Sequence, residues 1–128
     1  MLITSKRKEI CDKAWIELTS EFEDAKVANP QLRMSRSNIS FHEDIKLLGY
    51  LCQETSNIIG DVLEIGVWKG KSLAYMQRLC PPNTKIVGVD PCELAGQLND
   101  LTYFQKKLFS TAEIIVQFSE KAVPQVSS

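Results

Sequence analysis

The sequence predicts an α/β domain in which a partial parallel sheet of about three strands is layered with helices and preceded by two N-terminal helices. Three observations carry that expectation. Short apolar, β-branched runs fall at residues 61–65, 85–89 and 113–117. Between them, apolar residues recur at three- and four-residue spacing, the signature of helices packed on one side. The first run passes into a turn bearing Gly66 and Gly70, and the second ends on Asp90. Strands alternating with helices give a parallel sheet with right-handed crossovers.

The elements follow in chain order. From Ser5 to about Ala25, Ile10, Ala14, Leu18 and Phe22 form a four-residue stripe with Trp15 beside it, predicting a first helix. Asn29-Pro30 ends it, because proline cannot continue a helix and disfavours helical geometry in the residue before it. After a polar loop, Ser40-Phe41-His42-Glu43 has the form of a capping box, and Ile45, Leu48, Leu51 and Cys52 supply the apolar face of a second helix that ends before Gly60. Residues 61–65 are too short and too β-branched for a helix and read as a strand. A third helix starts near Gly70, runs through Leu73, Met76 and Leu79, and stops at Pro81-Pro82. The second strand is 85–89. Leu94, Leu98, Leu101, Phe104 and Leu108 mark a fourth helix, 113–117 a third strand, and Ser119 begins a last helical turn.

Composition narrows the function. At 128 residues the chain can cover one core and not two. Hydrophobic residues make up 44 %, charged residues 24 %, and the net charge is −1, which argues against disorder and offers no basic footprint for nucleic acid. Lys6-Arg7-Lys8 is soon offset by Glu9, Asp12 and Glu17 and reads as a solvated helix start. No apolar stretch has signal-peptide or membrane-spanning length, so neither membrane nor nucleic-acid partners are expected, and a cytoplasmic location is. Cys11, Cys52, Cys80 and Cys92 lack C-x-x-C spacing and a histidine set, so reduced, mostly buried thiols are expected and no metal. His42, the one histidine, lies in a helix-cap sequence and is not expected to be catalytic.

The chemistry is concentrated in Glu64-x-Gly66-x-x-x-Gly70-x-Ser72, followed by a second strand closed by Asp90, 24 residues after Gly66. A strand, glycine turn, helix and second strand ending in a carboxylate describe a nucleoside-binding, Rossmann-like unit. Trp68 stands where the dinucleotide fingerprint has its second glycine, so close backbone approach to a diphosphate is blocked and a ligand without phosphates fits better. Glu64, a carboxylate inside an apolar strand, needs partners; the turn amides or a ligand ammonium are expected to supply them. Bland alternatives stand beside these readings: the glycines permit a tight turn, Asp90-Pro91 favours a cap, and Lys69 and Lys71 are expected to be merely solvated. Trp68 either covers a ligand or packs on the N-terminal helices.

Residues 60–90 resemble the cofactor-binding motifs of class I S-adenosylmethionine-dependent methyltransferases. The run Glu64 to Ser72 is particularly similar to the branch holding macrocin-type sugar O-methyltransferases and cephalosporin-hydroxylase-like proteins. The resemblance implies a Rossmann-like three-layer sandwich and S-adenosylmethionine as cofactor. It places Glu64, Gly66 and Gly70 along the cofactor turn, Ser72 near the methionyl carboxylate, where helix N-terminal amides favour an anion, and Asp90 at the ribose hydroxyls. It divides the chain into an N-terminal helical segment, 1–58, and a partial cofactor-binding domain, 59–128.

The resemblance covers the cofactor half only. Family members often carry an acid near the adenine after the third strand, where this chain reads Gln117-Phe118-Ser119; Phe118 is expected in the core, with adenine stacking as the alternative. The family sheet has seven strands, and its catalytic carboxylates largely follow the fourth, so no catalytic residue can be named here. The expectation is a truncated methyltransferase acting on a small-molecule acceptor, weakly active or inactive alone, with a homo-oligomer or partner chain completing the sheet. The alternatives are a non-catalytic interaction scaffold and, behind it, a nicotinamide-dinucleotide-binding half.

Overall fold

A computed structural model describes residues 4–32, 42–58 and 60–126. The element order is α1 (Ser5–Ala28), α2 (His42–Glu54), β1 (Val62–Ile65), α3 (Lys71–Leu79), β2 (Ile86–Val89), α4 (Gln97–Leu108), β3 (Glu113–Ile115) and α5 (Ser119–Ala122), which runs into a 3₁₀ turn, Val123–Gln125. The predicted capping box includes Ser40 and Phe41, which lie outside the described residues. The fold is α/β, a partial Rossmann-like arrangement with a three-stranded parallel sheet in the order β1-β2-β3. Leu63 pairs with Val87, Ile65 with Val89, and Val89 with Ile115.

Side chains alternate across a strand, so each strand serves two layers. Val62, Ile86 and Ile114 face the larger core, which they share with α1 to α4. Val87, Val89 and Ile115 face the other way and meet Ala122 and Val126 of the C-terminal turn. That second layer stops short of β1: Leu63 and Ile65 on the same face stay 40 % and 57 % exposed. Among the described residues the outer edge of β1 has no neighbouring strand.

Two apolar stripes differ from expectation. In α1 the buried line is Cys11, Trp15, Leu18, Phe22 and Ala25, and Ile10 is exposed. Steps of four alone drift around a helix of 3.6 residues per turn, whereas alternating fours and threes hold one line. In α4 the buried face is Gln97, Asp100, Leu101 and Phe104. Leu94 precedes the helix and, like Leu98, is exposed, because polar side chains occupy the face turned towards the β1–α3 turn. In α2, Cys52 is buried and Leu51 exposed.

The helices bind one another through specific aromatic contacts. Phe22 of α1 packs on Phe104 of α4 with ring centroids 4.4 Å apart, and Trp15 meets Tyr75 of α3 edge-on at 5.1 Å. The Tyr75 hydroxyl donates to the Cys11 carbonyl at 3.1 Å, which satisfies a buried polar group. Thr4 caps α1 by accepting from the Arg7 amide, and Arg7–Glu54 and Arg78–Glu21 ion pairs tie α1 to α2 and α3 at the surface.

Candidate functional site

The C-terminal ends of the three strands lie side by side: the Gly66 amide donates to the Val89 carbonyl at 2.8 Å, and the Asp90 amide to the Ile115 carbonyl at 3.1 Å. In open parallel sheets this is where ligands bind. Between β1 and α3 the chain turns through three left-handed residues, Gly66 (φ 85°), Trp68 (φ 56°) and Gly70 (φ 93°). The two glycines serve different ends. A Cβ on Gly70 would overlap the Phe109 ring, so this glycine lets the turn sit on the core. A Cβ on Gly66 would meet nothing within 4 Å, so its bare backbone faces open space. This exposed, left-handed stretch of backbone is an open cradle beside the turn.

Two carboxylates flank the cradle. Glu64 shares the strand face of Val62, the side under α3, and its two oxygens accept from the Ser72 hydroxyl at 2.9 and 2.8 Å. Burial pushes its carboxyl up to about 7; the Ser72 bond pulls it down, and the nearby negative charge of Asp90 adds to the rise. The turn amides expected for Glu64 go to Asp90 instead. One Asp90 oxygen accepts from the Val67 and Trp68 amides at 2.9 and 3.0 Å, and the other from the Cys92 amide at 2.7 Å. Burial alone would raise the Asp90 carboxyl. Donors from Trp68, Cys92 and Val67, with the Gln97 side chain, outweigh it and hold the group below its ordinary value. Asp90 is only 8 % exposed.

The neighbouring lysines are not solvated. Lys69 is 4 % exposed and its ammonium lies 3.1 Å from an Asp100 oxygen in a buried ion pair. Lys71 is buried with its ammonium 4.1 Å above the Trp15 ring, and burial drives it down to about 8 against the pull of Glu23. Both side chains double back from the turn into the helical layer. Lys71 thus meets Trp15 of α1, and the half-buried Trp68 ring has the Lys69 ammonium 5.2 Å from its centroid. Phe118 is not a core residue: it is 43 % exposed at the end of β3, and the Gln117 amide beside it donates to the Asp90 carbonyl.

Gln97 and Asp100 were invisible as site residues in the sequence. Their i, i+3 spacing at a helix start was the available signal, but the leucine pattern of α4 concealed it. Among the described residues no group of three or more His, Cys, Asp or Glu side chains is arranged to hold a metal ion, and no helix is long and apolar enough to cross a membrane. A cleft of about 580 Å³ along Ser5, Asp12 and Ile16 of α1 shares no residue with the turn, so donor geometry rather than volume locates the site.

No protein-family model and no curated protein matches the chain. Among solved structures it is similar to the crystal structure of cofactor-bound Rv0187 from MTB, with a TM-score of 0.56 at 18 % identity over 90 % of this chain. The likeness is one of fold. The match covers 48 % of that protein, so this chain spans about half the architecture it resembles.

Proposed function

We propose that this chain is the S-adenosylmethionine-binding portion of a class I methyltransferase of the O-methylating type, weakly active or inactive alone. The observation that carries the reading is the open left-handed cradle at Gly66, flanked by Glu64 and Asp90 at the start of α3. Its bare backbone suits the methionyl and ribose part of the cofactor. The first amides of α3 suit the methionyl carboxylate; Ser72 is assigned beside it, with its hydroxyl proton already engaged by Glu64, and ionised Glu64 suits the ammonium. Exposed Phe118 offers a face for the adenine. Asp90 is assigned to the ribose hydroxyls, which would share oxygens already engaged by the turn amides. The bound cofactor would supply a sulfonium methyl group; the acceptor is a small hydroxyl-bearing molecule. A Rossmann-like fold whose solved neighbour carries a cofactor supports the reading.

Titration with S-adenosylmethionine by calorimetry and thermal shift tests it. Ligand at one hundred times its dissociation constant stabilises the fold by about 2.7 kcal/mol. Gly66→Ala puts a methyl group in the cradle and should abolish that gain. Gly96→Ala is the control, since Gly96 has a similar positive φ and equally open surroundings. Each replacement forces alanine into left-handed geometry at a cost of roughly 1–2 kcal/mol. Equal binding by both variants would remove the cradle from the reading.

Exposed Leu63 and Ile65 on the open edge of β1 favour a second reading, an interaction scaffold that keeps the half-fold without its ligand. A folded protein that binds no cofactor and self-associates would be that scaffold. A nicotinamide-dinucleotide site is disfavoured by the Trp68 side chain at the turn.

A further inference from the structure

The turn that forms the cradle contains a conformation its sequence does not favour. Tryptophan at φ 56° is strained, because a bulky side chain crowds the backbone in the left-handed region. Such a residue persists only where its surroundings over-determine it. Here the Trp68 peptide is held from both sides. Its N–H donates to Asp90, and its carbonyl accepts from Gln97 Nε2 at 3.3 Å. The same Gln97 side chain helps to hold the Asp90 carboxyl below its ordinary value, and its Oε1 accepts from the Leu94 amide at 3.4 Å. The next turn residue, Lys69, reaches α4 through the buried pair with Asp100. Gln97 and Asp100 are both buried and lie three residues apart, on one face of the first turn of α4.

We infer that the first turn of α4 is a clamp that holds the glycine turn in its ligand-ready shape, with Gln97 as a positioning residue acting through Trp68 and Asp90, and Lys69–Asp100 as its second point of attachment. Burying an amide and an ion pair is costly, and a leucine in place of Gln97 would serve the core alone. These side chains instead direct their polar atoms at the turn. The clamp keeps Trp68 left-handed while leaving the open side of Gly66 untouched. A preorganised site loses less freedom when a ligand binds, so the clamp should appear in affinity as well as in rigidity. Only the affinity arm of this inference rests on the proposed cofactor function.

The test is backbone amide exchange at Val67 and Trp68, followed by NMR in wild type, Gln97→Met and Gln97→Glu, with S-adenosylmethionine titrated into each. Gln97→Met keeps the volume and removes the donors; Val67 and Trp68 should exchange about five- to tenfold faster, the equivalent of one hydrogen bond, with core strand amides unchanged. Gln97→Glu should behave likewise at neutral pH. On acidification its protonated carboxyl can donate to the Trp68 carbonyl again, so protection should return relative to wild type at the same pH. A residue serving stability alone would show no such recovery. If Gln97→Met does not fold, the pH series in Gln97→Glu carries the test. Unchanged exchange at Val67 and Trp68, or equal acceleration throughout the molecule, would overturn the clamp. Opening of the turn together with weaker cofactor binding supports both clamp and ligand. Opening in the variants of a protein whose wild type binds no S-adenosylmethionine supports the clamp and sinks the cofactor reading.

Discussion

Glu64 shows how one residue links stability to ligand chemistry. Its carboxyl titrates near 7 in the folded protein, against about 4.3 in an unfolded chain. Because the folded value is raised, the unfolded chain gives up its proton first as pH rises. Stability is therefore fully present below the unfolded value and is lost as pH climbs through about 7. Glu64→Gln should flatten this loss; denaturant unfolding at pH 5 and pH 8 should show wild type losing up to ~3 kcal/mol more than the variant. Ligand binding should respond in the opposite sense, since an ammonium needs the ionised carboxylate. Cofactor affinity is thus expected to rise between pH 6 and 8 in wild type and to stay level in Glu64→Gln. The sequence marked Glu64 as a buried acid in need of a partner, but which residue met it depended on strand parity and the α3 start, where Ser72 stands. Gly70 makes the complementary case: alanine there collides with Phe109 besides being strained, so Gly70→Ala should cost more stability than Gly66→Ala in the same unfolding experiment.

Among the elements, α1 matters more than its place ahead of the sheet suggests. It contributes Cys11, Trp15, Leu18, Phe22 and Ala25 to the core shared with α3 and α4, and the turn lysine Lys71 lies on its Trp15 ring. Phe22→Ala should cost roughly 3–5 kcal/mol, comparable with the whole stability of a small domain, and leave little folded protein in a thermal melt. Tyr75→Phe removes only the hydroxyl bond to Cys11 and should cost about 1 kcal/mol. Periodicity made each helix legible, but not which line of each helix faces inward. That choice was set by neighbours: the glycine turn draws Gln97 and Asp100 of α4 inward and leaves Leu94 and Leu98 outside.

For the whole molecule, the asymmetry of the sheet is decisive. Among the described residues one face is covered by four helices and the other only by the short C-terminal turn over β2 and β3. We propose that a second copy or a partner strand pairs along Leu63, Ile65 and the edge of β1, which has no neighbouring strand among the described residues. We expect concentration-dependent association in sedimentation velocity and its loss in Ile65→Lys. That exposed substitution should change stability by no more than about 0.5 kcal/mol. A protein that stays monomeric at high concentration would exclude self-pairing through this edge.

The alternation of β-branched runs with helical periods determined the α/β class, the number of strands and the position of the glycine turn, because these depend on local pattern and backbone freedom. The identities of Glu64, Gly66, Gly70, Ser72 and Asp90 were likewise visible, since an acid within a strand and glycines behind it are unusual wherever they occur. Tertiary structure alone decided how they are used. It sent the turn amides to Asp90 and the Ser72 hydroxyl to Glu64, buried Lys69 against Asp100, brought Phe118 to the surface and recruited Gln97. Each of these outcomes joins residues from different elements. Their partners are fixed by packing across the fold, which spacing along the chain does not encode.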